Sequence, residues 1–271
     1  MKVVFTPEEK KQIQAIIETY QDQLVIGLCI LDEEANCLFQ WNAQQCFPAA
    51  SLIKLGIARF IATNYPTSLP QTIFITPESF SSGAGIIPLL TSHHGWTVKE
   101  LVALMLVISD NTAANALIKT YDQTAINDWL QLNYPRIQLK RYFMEENPID
   151  DNLISADIAA KLMYDLFTTK LDHADILTVI HHSLENQQFR EGIPAVYNEN
   201  QLPELKLYNK NGTLPTIYHD VCHIRYHDRS LTLAGLTKMQ TTNSTDCLLG
   251  QQFLQKIGAF IIQLVVNTPK T

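Results

Sequence analysis

The period of the hydrophobic pattern changes twice along the chain. At the start, the segment Thr6-Pro7-Glu8-Glu9 combines a capping residue, a proline at the first helical position and two acids, which predicts a helix that ends near Tyr20. Two β-rich runs, 24–31 and 37–41, lie on either side of a polar link and predict a hairpin. The chain therefore opens with a helix and two antiparallel strands.

From residue 48 to about residue 190 the pattern becomes helical, and strand-like runs return after it. Apolar residues have helical spacing in 52–61, 98–118, 126–132, 158–167 and 248–266, and strand-like runs occupy 205–208, 217–226 and 231–236. We therefore predict an α+β fold with an antiparallel sheet. Residues 1–47 and 191–271 would form a discontinuous sheet-and-helix domain, and residues 48–190 an all-helical lobe inserted into it.

Composition narrows the class of protein. The 271 residues are 46% hydrophobic, which is enough for one sizeable core or two lobes around a cleft. A net charge of -7 lacks the basic footprint of a nucleic-acid binder. The most apolar stretches, 101–108 and 257–266, are shorter than the roughly 20 residues of a bilayer span, so no membrane span is expected.

The cysteines and the N-terminus carry little information. Five cysteines without a CxxC pair favour unbridged, mostly buried thiols over a disulfide framework or a zinc knuckle. Residues 1–5 lack the apolar core of a secretory signal, so the chain as written is expected to stay in the cytoplasm where it is made. If the sequence has been trimmed, the protein acts outside the cytoplasm, and its location is left open.

One short motif could supply a nucleophile. Ser51 and Lys54 stand three residues apart at the start of a predicted helix, so the hydroxyl and the amine share one helix face. A lysine whose pKa is lowered by burial can remove the proton of a serine. On its own the pair is better explained as an ordinary solvated helix face.

Two further segments allow structural explanations when each is taken alone. Ser109-Asp110-Asn111 follows an apolar run and contains residues that cap helices. Lys210-Asn211-Gly212-Thr213 follows a strand-like run, and Asn-Gly is a favoured turn dipeptide.

Together and in this order, the three segments resemble the signature of the class A β-lactamases and the wider family of penicillin-recognising serine enzymes, which is Ser-x-x-Lys, Ser-Asp-Asn and Lys-Thr-Gly. Ser82-Gly83-Ala84-Gly85 and Asn115-Ala116-Leu117-Ile118 are also similar to this family. The resemblance covers roughly residues 20–265. It implies a sheet flanked by the terminal helices, a helical lobe, and an active site between them.

The resemblance also implies a role for each matching residue. Ser51 would be the nucleophile and Lys54 its base or proton relay, while Ser109 would pass a proton to the leaving nitrogen. Asn111 would hold the amide side chain of the substrate, and Lys210 would supply positive potential near the substrate carboxylate. Gly212 and Thr213 would complete the substrate-binding strand, where the N–H groups of Ser51 and Thr213 form the oxyanion hole.

Two positions depart from the family pattern. Asn211 replaces the usual threonine or serine, which indicates altered carboxylate recognition that Thr213 could share. The loop pattern Glu-x-x-Leu-Asn, whose glutamate activates the hydrolytic water, is missing, and Phe143 stands at the position of that glutamate. Glu145 and Glu146 are near enough in sequence to reach the water, but solvated loop acids are the favoured explanation.

The sequence therefore predicts an enzyme that forms an acyl-enzyme on Ser51 with β-lactams, as in antibiotic resistance, and deacylates slowly. A D-alanyl peptidase or esterase using the same serine, and a penicillin-binding sensor that does not turn over, are the alternatives. The expected partner is a small-molecule β-lactam or acyl-peptide. No metal or organic cofactor is implied, and a monomer is expected.

Several histidines and one arginine stay outside this scheme. His219, His223 and His227 repeat along one face of a strand, where a zinc site is disfavoured. Asp220 is either a recurring feature of the family or half of a structural polar pair. Arg190 is a hinge contact or a cleft cation. The pairs His93-His94 and His181-His182 are interpreted as loop or helix-surface residues.

Overall fold

The computed structural model describes residues 3–90, 95–146, 148–170, 175–197, 202–240 and 247–267. The His93-His94 pair lies outside these ranges. The strands are β1 (Leu24–Leu31), β2 (Cys37–Trp41), β3 (Cys46–Pro48), β4 (Thr72–Phe74), β5 (Gly95–Thr97), β6 (Leu153–Ser155), β7 (Leu205–Leu214), β8 (Ile217–Tyr226) and β9 (Arg229–Met239). The helices are α1 (Pro7–Tyr20), α2 (Ile53–Asn64), α3 (Val98–Val107), α4 (Asn111–Tyr121), α5 (Gln123–Asn133), α6 (Ala156–Thr168), α7 (Asp175–Glu185) and α8 (Leu248–Asn267).

The main sheet has five antiparallel strands in the order β2-β1-β9-β8-β7. The first hairpin of the chain therefore pairs directly with the last strand, which confirms a sheet built from both chain ends. Helix α1 begins with the predicted cap, in which the Thr6 hydroxyl accepts from the backbone N–H of Glu9 and the Glu9 carboxylate accepts from Thr6. The α+β class and the flanking terminal helices are confirmed.

Strand β1 explains how one sheet serves two cores. Leu28 and Ile30 face the terminal helices α1 and α8, whereas Cys29 and Leu31 face the middle helices. This alternation follows from the two-residue period of a strand, and it makes both faces of β1 apolar. Helix α6 lies against the second face of the sheet. The division into a sheet domain and a helical lobe remains a prediction.

Three details of the sequence interpretation are corrected. The interval 48–190 is not all-helical, because β4 pairs with β5, and β6 pairs with β3. Each of these strands has only three residues, and a segment of that length is too short to show the two-residue period of a strand. Lys210-Asn211-Gly212-Thr213 lies within β7 and not in a turn, because the strand continues to Leu214. The cysteines are not mostly buried, since Cys37 and Cys46 are exposed.

Helix α8 agrees with the predicted helical run 248–266 to within one residue. It has 20 residues, and it is the one helix in the described ranges with the length and hydropathy of a membrane span. Its buried face, which includes Phe253, Ile257 and Ile261, packs on the sheet in the same core as α1. This packing is that of a core helix.

His219 joins the sheet to the segment that precedes α2. This fully buried side chain on β8 places Nε2 2.9 Å from the carbonyl oxygen of Pro48, and its Nδ1 accepts a hydrogen bond from the backbone N–H of Thr237. Both ring nitrogens are therefore satisfied by a neutral imidazole that carries its proton on Nε2. Burial lowers the pKa of His219 to about 4.

A buried neutral histidine predicts a specific acid sensitivity. The unfolded chain takes up a proton at this residue below about pH 6.5, whereas the folded chain resists protonation until about pH 4. The contribution of His219 to stability is complete above the unfolded pKa and decreases as the pH falls, by roughly 3 kcal/mol in total. We expect His219→Gln, which can donate and accept in the same way, to show a shallower loss between pH 6.5 and 4 in urea unfolding. Equal slopes for the two proteins would contradict this interpretation.

Candidate active site

Ser51 lies in a tight turn that leads into α2. Residues Ala50–Leu52 form one 3₁₀ turn, and Ala50 has a positive φ of 46°. The turn is fixed from outside, because the backbone N–H of Ala49 donates to the carbonyl of Asn152 at 2.6 Å, while Pro48 is held by His219. The Ser51 side chain remains partly exposed. The sequence therefore presents the hydroxyl at the beginning of a helix on a rigid support.

Ser109 lies between α3 and α4 and is 3% exposed, with a left-handed φ of 57°. Asp110 fixes this junction. One of its carboxylate oxygens accepts from the N–H of Ala113 in the first turn of α4, and the other accepts from the N–H groups of Ile86 and Ile87. The capping explanation of Asp110 is therefore correct, and the cap orients Ser109 toward Lys54.

Lys54 is fully buried and connects the motifs. Its Nζ lies 3.2 Å from the Ser51 hydroxyl, 2.6 Å from the carbonyl and 3.1 Å from the hydroxyl of Ser109, and 2.8 Å from Oδ1 of Asn111. All of these oxygens are uncharged, and no carboxylate in the described ranges lies within hydrogen-bonding distance of this nitrogen. Burial, reinforced by the nearby charge of Lys210, lowers the pKa of Lys54 well below its usual value, against a weaker opposite effect of Asp110.

Lys210 approaches Ser109 from the other side. Its Nζ donates to the Ser109 hydroxyl at 3.1 Å and to the carbonyl of Asn211 at 2.8 Å. Burial lowers the pKa of Lys210 to about 7, and the charge of Asp220 partly opposes this shift. Two buried amines therefore share the hydroxyl of one serine.

A cavity of about 250 Å³ opens above these groups. Its polar floor contains Ser51, Ser109, Asn111, Asn211, Gly212 and Thr213. Aromatic and aliphatic side chains form its walls, among them Phe143, Met144, Phe189 and Leu214. The cavity has the combination of apolar walls and a few convergent polar groups that is typical of a small-molecule site.

Strand β7 runs close beside the serine. A Cβ atom added to Gly212 would lie 2.9 Å from the backbone nitrogen of Ser51, so only glycine allows this approach. Since β7 is the last strand of the sheet, its outer edge faces the turn that carries Ser51. Thr213 follows on this edge and is exposed.

Phe143 lies against Lys54. The centroid of its ring is 4.2 Å from Lys54 Nζ. The side chain of Asn115 holds the backbone of Phe143 with two hydrogen bonds, accepting from its N–H at 2.8 Å and donating to its carbonyl at 3.0 Å. An apolar ring therefore occupies the position beside the buried amine where the related loop pattern has a carboxylate.

Asn152 closes the loop that carries Phe143. It is 3% exposed, and its Oδ1 accepts from the N–H groups of Lys140 and Arg141 at 2.7 and 3.0 Å, while its Nδ2 donates to the carbonyl of Arg141 at 3.1 Å. An ion pair of 2.9 Å between Arg141 and Asp151 adds to this closure. Both charged residues border the cavity.

Glu145 and Glu146 are not brought to the floor of the cavity. Both are exposed, and the Glu145 carboxylate accepts from the backbone N–H of Tyr142 at 3.1 Å. Their geometry fits solvated loop acids better than a base beside Ser51.

The remaining residues singled out from the sequence lie in structural positions. Arg190 donates to the carbonyl of Glu185 at 2.9 Å, which fits a hinge contact at the end of α7. Asp220 is buried and accepts from the backbone N–H of Ile193 and from Asn209. His181 and His223 stack on the two faces of Phe167, and His227 lies at the turn after β8.

Sequence reasoning missed the residues that act at a distance along the chain. These contacts join segments that are far apart in sequence. Asn115 binds the backbone of Phe143, Asn152 binds the backbone of Lys140 and Arg141, and Phe189 lines the cavity. The only available signals were the Asn115-Ala116-Leu117-Ile118 match and the position of Phe143.

The family described as "Beta-lactamase enzyme family" matches residues 8–265. This chain belongs to that family. The assignment indicates a serine hydrolase, and the family acts on small-molecule β-lactams.

Solved structures of this family share the fold over nearly the whole chain. A beta-lactamase from Sphaerobacter thermophilus DSM 20745 has 24% sequence identity and a TM-score of 0.82, covering 96% of this chain and 98% of that one. The protein PBP-A has 18% identity and a TM-score of 0.82, covering 97% of each chain. A class A beta-lactamase from Mycobacterium abscessus has 18% identity and a TM-score of 0.79, covering 95% and 99%. No curated protein sequence matches this chain.

Because the Asn152 side chain closes the loop, we expect its removal to lower the free energy of unfolding substantially. Asn152→Ala removes three hydrogen bonds to backbone groups, and we expect the free energy of unfolding to fall by about 2–3 kcal/mol. Urea unfolding would measure this change. Asn186→Ala is the matched control, because this exposed amide bonds only within its own helix end, and its effect should stay below about 1 kcal/mol. Equal losses in the two variants would contradict the role assigned to Asn152.

Proposed function

We propose that Ser51 attacks the strained amide of a β-lactam and forms an acyl-enzyme that is hydrolysed slowly. The observation that carries the proposal is the contact of the Lys54 amine with the hydroxyls of both Ser51 and Ser109, beneath a cavity sized for a small molecule. These groups supply the nucleophile, the base and the proton donor that acyl transfer requires.

The contacts of Lys54 favour a neutral base. A neutral amine has two N–H donors and one lone pair. The two shortest contacts, to the Ser109 carbonyl and to Asn111, use both donors, and the lone pair is left for the Ser51 hydroxyl at 3.2 Å. Contact with the Phe143 ring favours a charged amine. Full burial and the nearby charge of Lys210 oppose the charge and lower the pKa of Lys54 well below its usual value, so the proposal takes Lys54 as neutral before substrate binds.

The reaction then follows the hydrogen-bond chain. As the Ser51 oxygen forms its bond to the lactam carbonyl carbon, its proton passes to Lys54 Nζ. Ser109 donates its own hydroxyl proton to the lactam nitrogen as the C–N bond breaks, and Lys54 replaces it. Lys210, which also contacts the Ser109 hydroxyl, supplies positive charge for a substrate carboxylate.

The backbone N–H groups of Ser51 and Thr213 form the oxyanion hole in this proposal. The approach of β7 to the Ser51 turn, which Gly212 permits, supports this pairing. Each such donor contributes about 3 kcal/mol to stabilisation of the transition state. The donors need no movement during the reaction, because both lie on hydrogen-bonded frameworks.

Slow hydrolysis of the ester follows from Phe143. A water molecule that attacks the acyl-enzyme needs a base and room beside Lys54, and the ring fills this room without offering a base. Glu145 and Glu146 are exposed and do not line the cavity. The likeness to PBP-A supports the acylation step of the proposal, since one structure of that protein, solved for a mutant, is an acyl-enzyme complex with penicillin-G.

A time course of intact mass with excess benzylpenicillin tests acylation and release together. We expect wild-type protein to gain one penicillin mass and to keep it over many minutes, and Ser51→Ala to gain none. Rapid loss of the adduct with product accumulating would overturn slow deacylation. A wild-type protein that gains no mass would overturn the β-lactam assignment, and D-alanyl peptides and esters would be tested next.

Replacement of the ring by a carboxylate should accelerate release. In Phe143→Glu a base would stand beside the acylated serine, and we expect adduct lifetime to shorten at least about tenfold. Phe143→Gln is the matched control, because it opens the same space without a base. Wild-type turnover that is already fast and is abolished by Glu145→Gln or Glu146→Gln would contradict the account.

A further inference from the structure

Two cysteines that the reaction does not use share one face of the first hairpin. In the register of β1 and β2, Cys37 lies opposite Leu31, and Cys29 is two residues from Leu31 on the same strand. Because side chains two residues apart point to the same side of a strand, both sulfurs lie on the face that also carries Leu31. The register shift between Ile30 and Leu31 produces this pairing.

The two thiols differ in environment, since Cys29 is 2% exposed whereas Cys37 is exposed. Hydrogen bonding with the Cys29 thiol, with smaller effects of the Phe39 N–H and the Lys10 charge, lowers the pKa of Cys37. Hydrogen bonding with Cys37, together with burial, raises the pKa of Cys29. An accessible sulfur with thiolate character therefore has a protonated thiol behind it.

The backbone can accommodate a bond between them. Diagonal neighbours on paired strands have Cα atoms about 7–8 Å apart, while a disulfide usually needs about 4.4–6.8 Å. Strand β2 is the edge strand of the main sheet and pairs only with β1 among the described strands. A shift of about one ångström in this strand would close the gap without breaking another ladder.

We propose that Cys29 and Cys37 form a reversible redox pair, in which a peroxide oxidises Cys37 and Cys29 then closes a disulfide. This assigns the hairpin a modification site that is separate from the serine chemistry. An exposed low-pKa thiol next to a resolving thiol is the arrangement of peroxide-reactive cysteine pairs.

The chemistry balances in two steps. The Cys37 thiolate attacks one oxygen of hydrogen peroxide, the O–O bond breaks, and Cys37 sulfenic acid and hydroxide form. The Cys29 sulfur then attacks the Cys37 sulfur, loses its proton, and displaces the hydroxyl group, which leaves with a proton as water. The protein loses two electrons and two protons, and a dithiol reductant reverses the oxidation.

The test treats the reduced protein with a small excess of hydrogen peroxide and then with N-ethylmaleimide in denaturant. We expect a mass loss of two hydrogens, three maleimide additions instead of five, and a peptide that links residues 29 and 37. Dithiothreitol should restore five additions. In Cys29→Ala, dimedone should trap Cys37 as its sulfenic acid, because the resolving thiol is missing.

Cys46→Ser is the matched control, because Cys46 is also exposed but lies on β3, outside the hairpin. This variant should form the 29–37 link as the wild type does. Retention of all five maleimide sites, or disulfides that join Cys46 or Cys247 in place of the 29–37 link, would overturn the proposal. The wild-type result decides the question even if a cysteine variant fails to fold.

Discussion

Two fully buried lysine amines contact the hydroxyl of Ser109. The free energy needed to charge both amines there is the constraint on which the rest of the active site depends. Charging both amines would place two positive charges side by side in a buried position, with uncharged oxygens as their direct partners. Burial lowers the pKa of both amines, and the charge of Lys210 lowers that of Lys54 further. Lys54, whose amine also contacts the Ser51 hydroxyl, is therefore the base in the proposed reaction.

The fold supplies this arrangement by joining distant parts of the chain. The Ser51 turn precedes α2, Ser109 lies at the junction of α3 and α4, and Lys210 lies on β7. Each junction is held from behind by a buried polar side chain, respectively His219, Asp110 and Asp220 with Asn209. The positions of Ser51, Ser109 and Lys210 are therefore well fixed, although these residues come from three separate segments.

The sequence predicted the motifs and the long elements, because these depend on local patterns. The cap at Thr6, the first hairpin and the antiparallel sheet were all accessible in this way. The three-residue strands could not be predicted, since pairing partners far along the chain define them. For the same reason Asn211-Gly212 lies in an extended strand, where pairing with β8 overrides the turn preference of the dipeptide.

The candidate site was predicted less completely than the fold. The proposed acylating residues follow from the resemblance of three motifs to the family signature, and the missing glutamate was visible as Phe143. The consequence of that replacement was not visible, because it depends on a ring centroid 4.2 Å from Lys54 Nζ and on the hold of Asn115. Contacts of this kind depend on packing between distant segments. The period of a hydrophobic pattern indicates local secondary structure and does not predict such packing.

The replacement also links the two halves of the reaction. Under the proposed function, Lys54 is suited to take the proton of Ser51 because no carboxylate of the described residues lies within hydrogen-bonding distance of its amine. The same proposal ascribes slow release to the ring of Phe143, in the loop closed by Asn152.

The protonation state of Lys54 is the most direct test of this account. An NMR titration of protein with ¹³Cε-labelled lysine, assigned with Lys54→Arg, measures it without any substrate. The account predicts a Lys54 resonance that is already in its neutral form at neutral pH and whose pKa rises in Phe143→Glu. A Lys54 that stays charged at neutral pH, with the ring still in place, would contradict it.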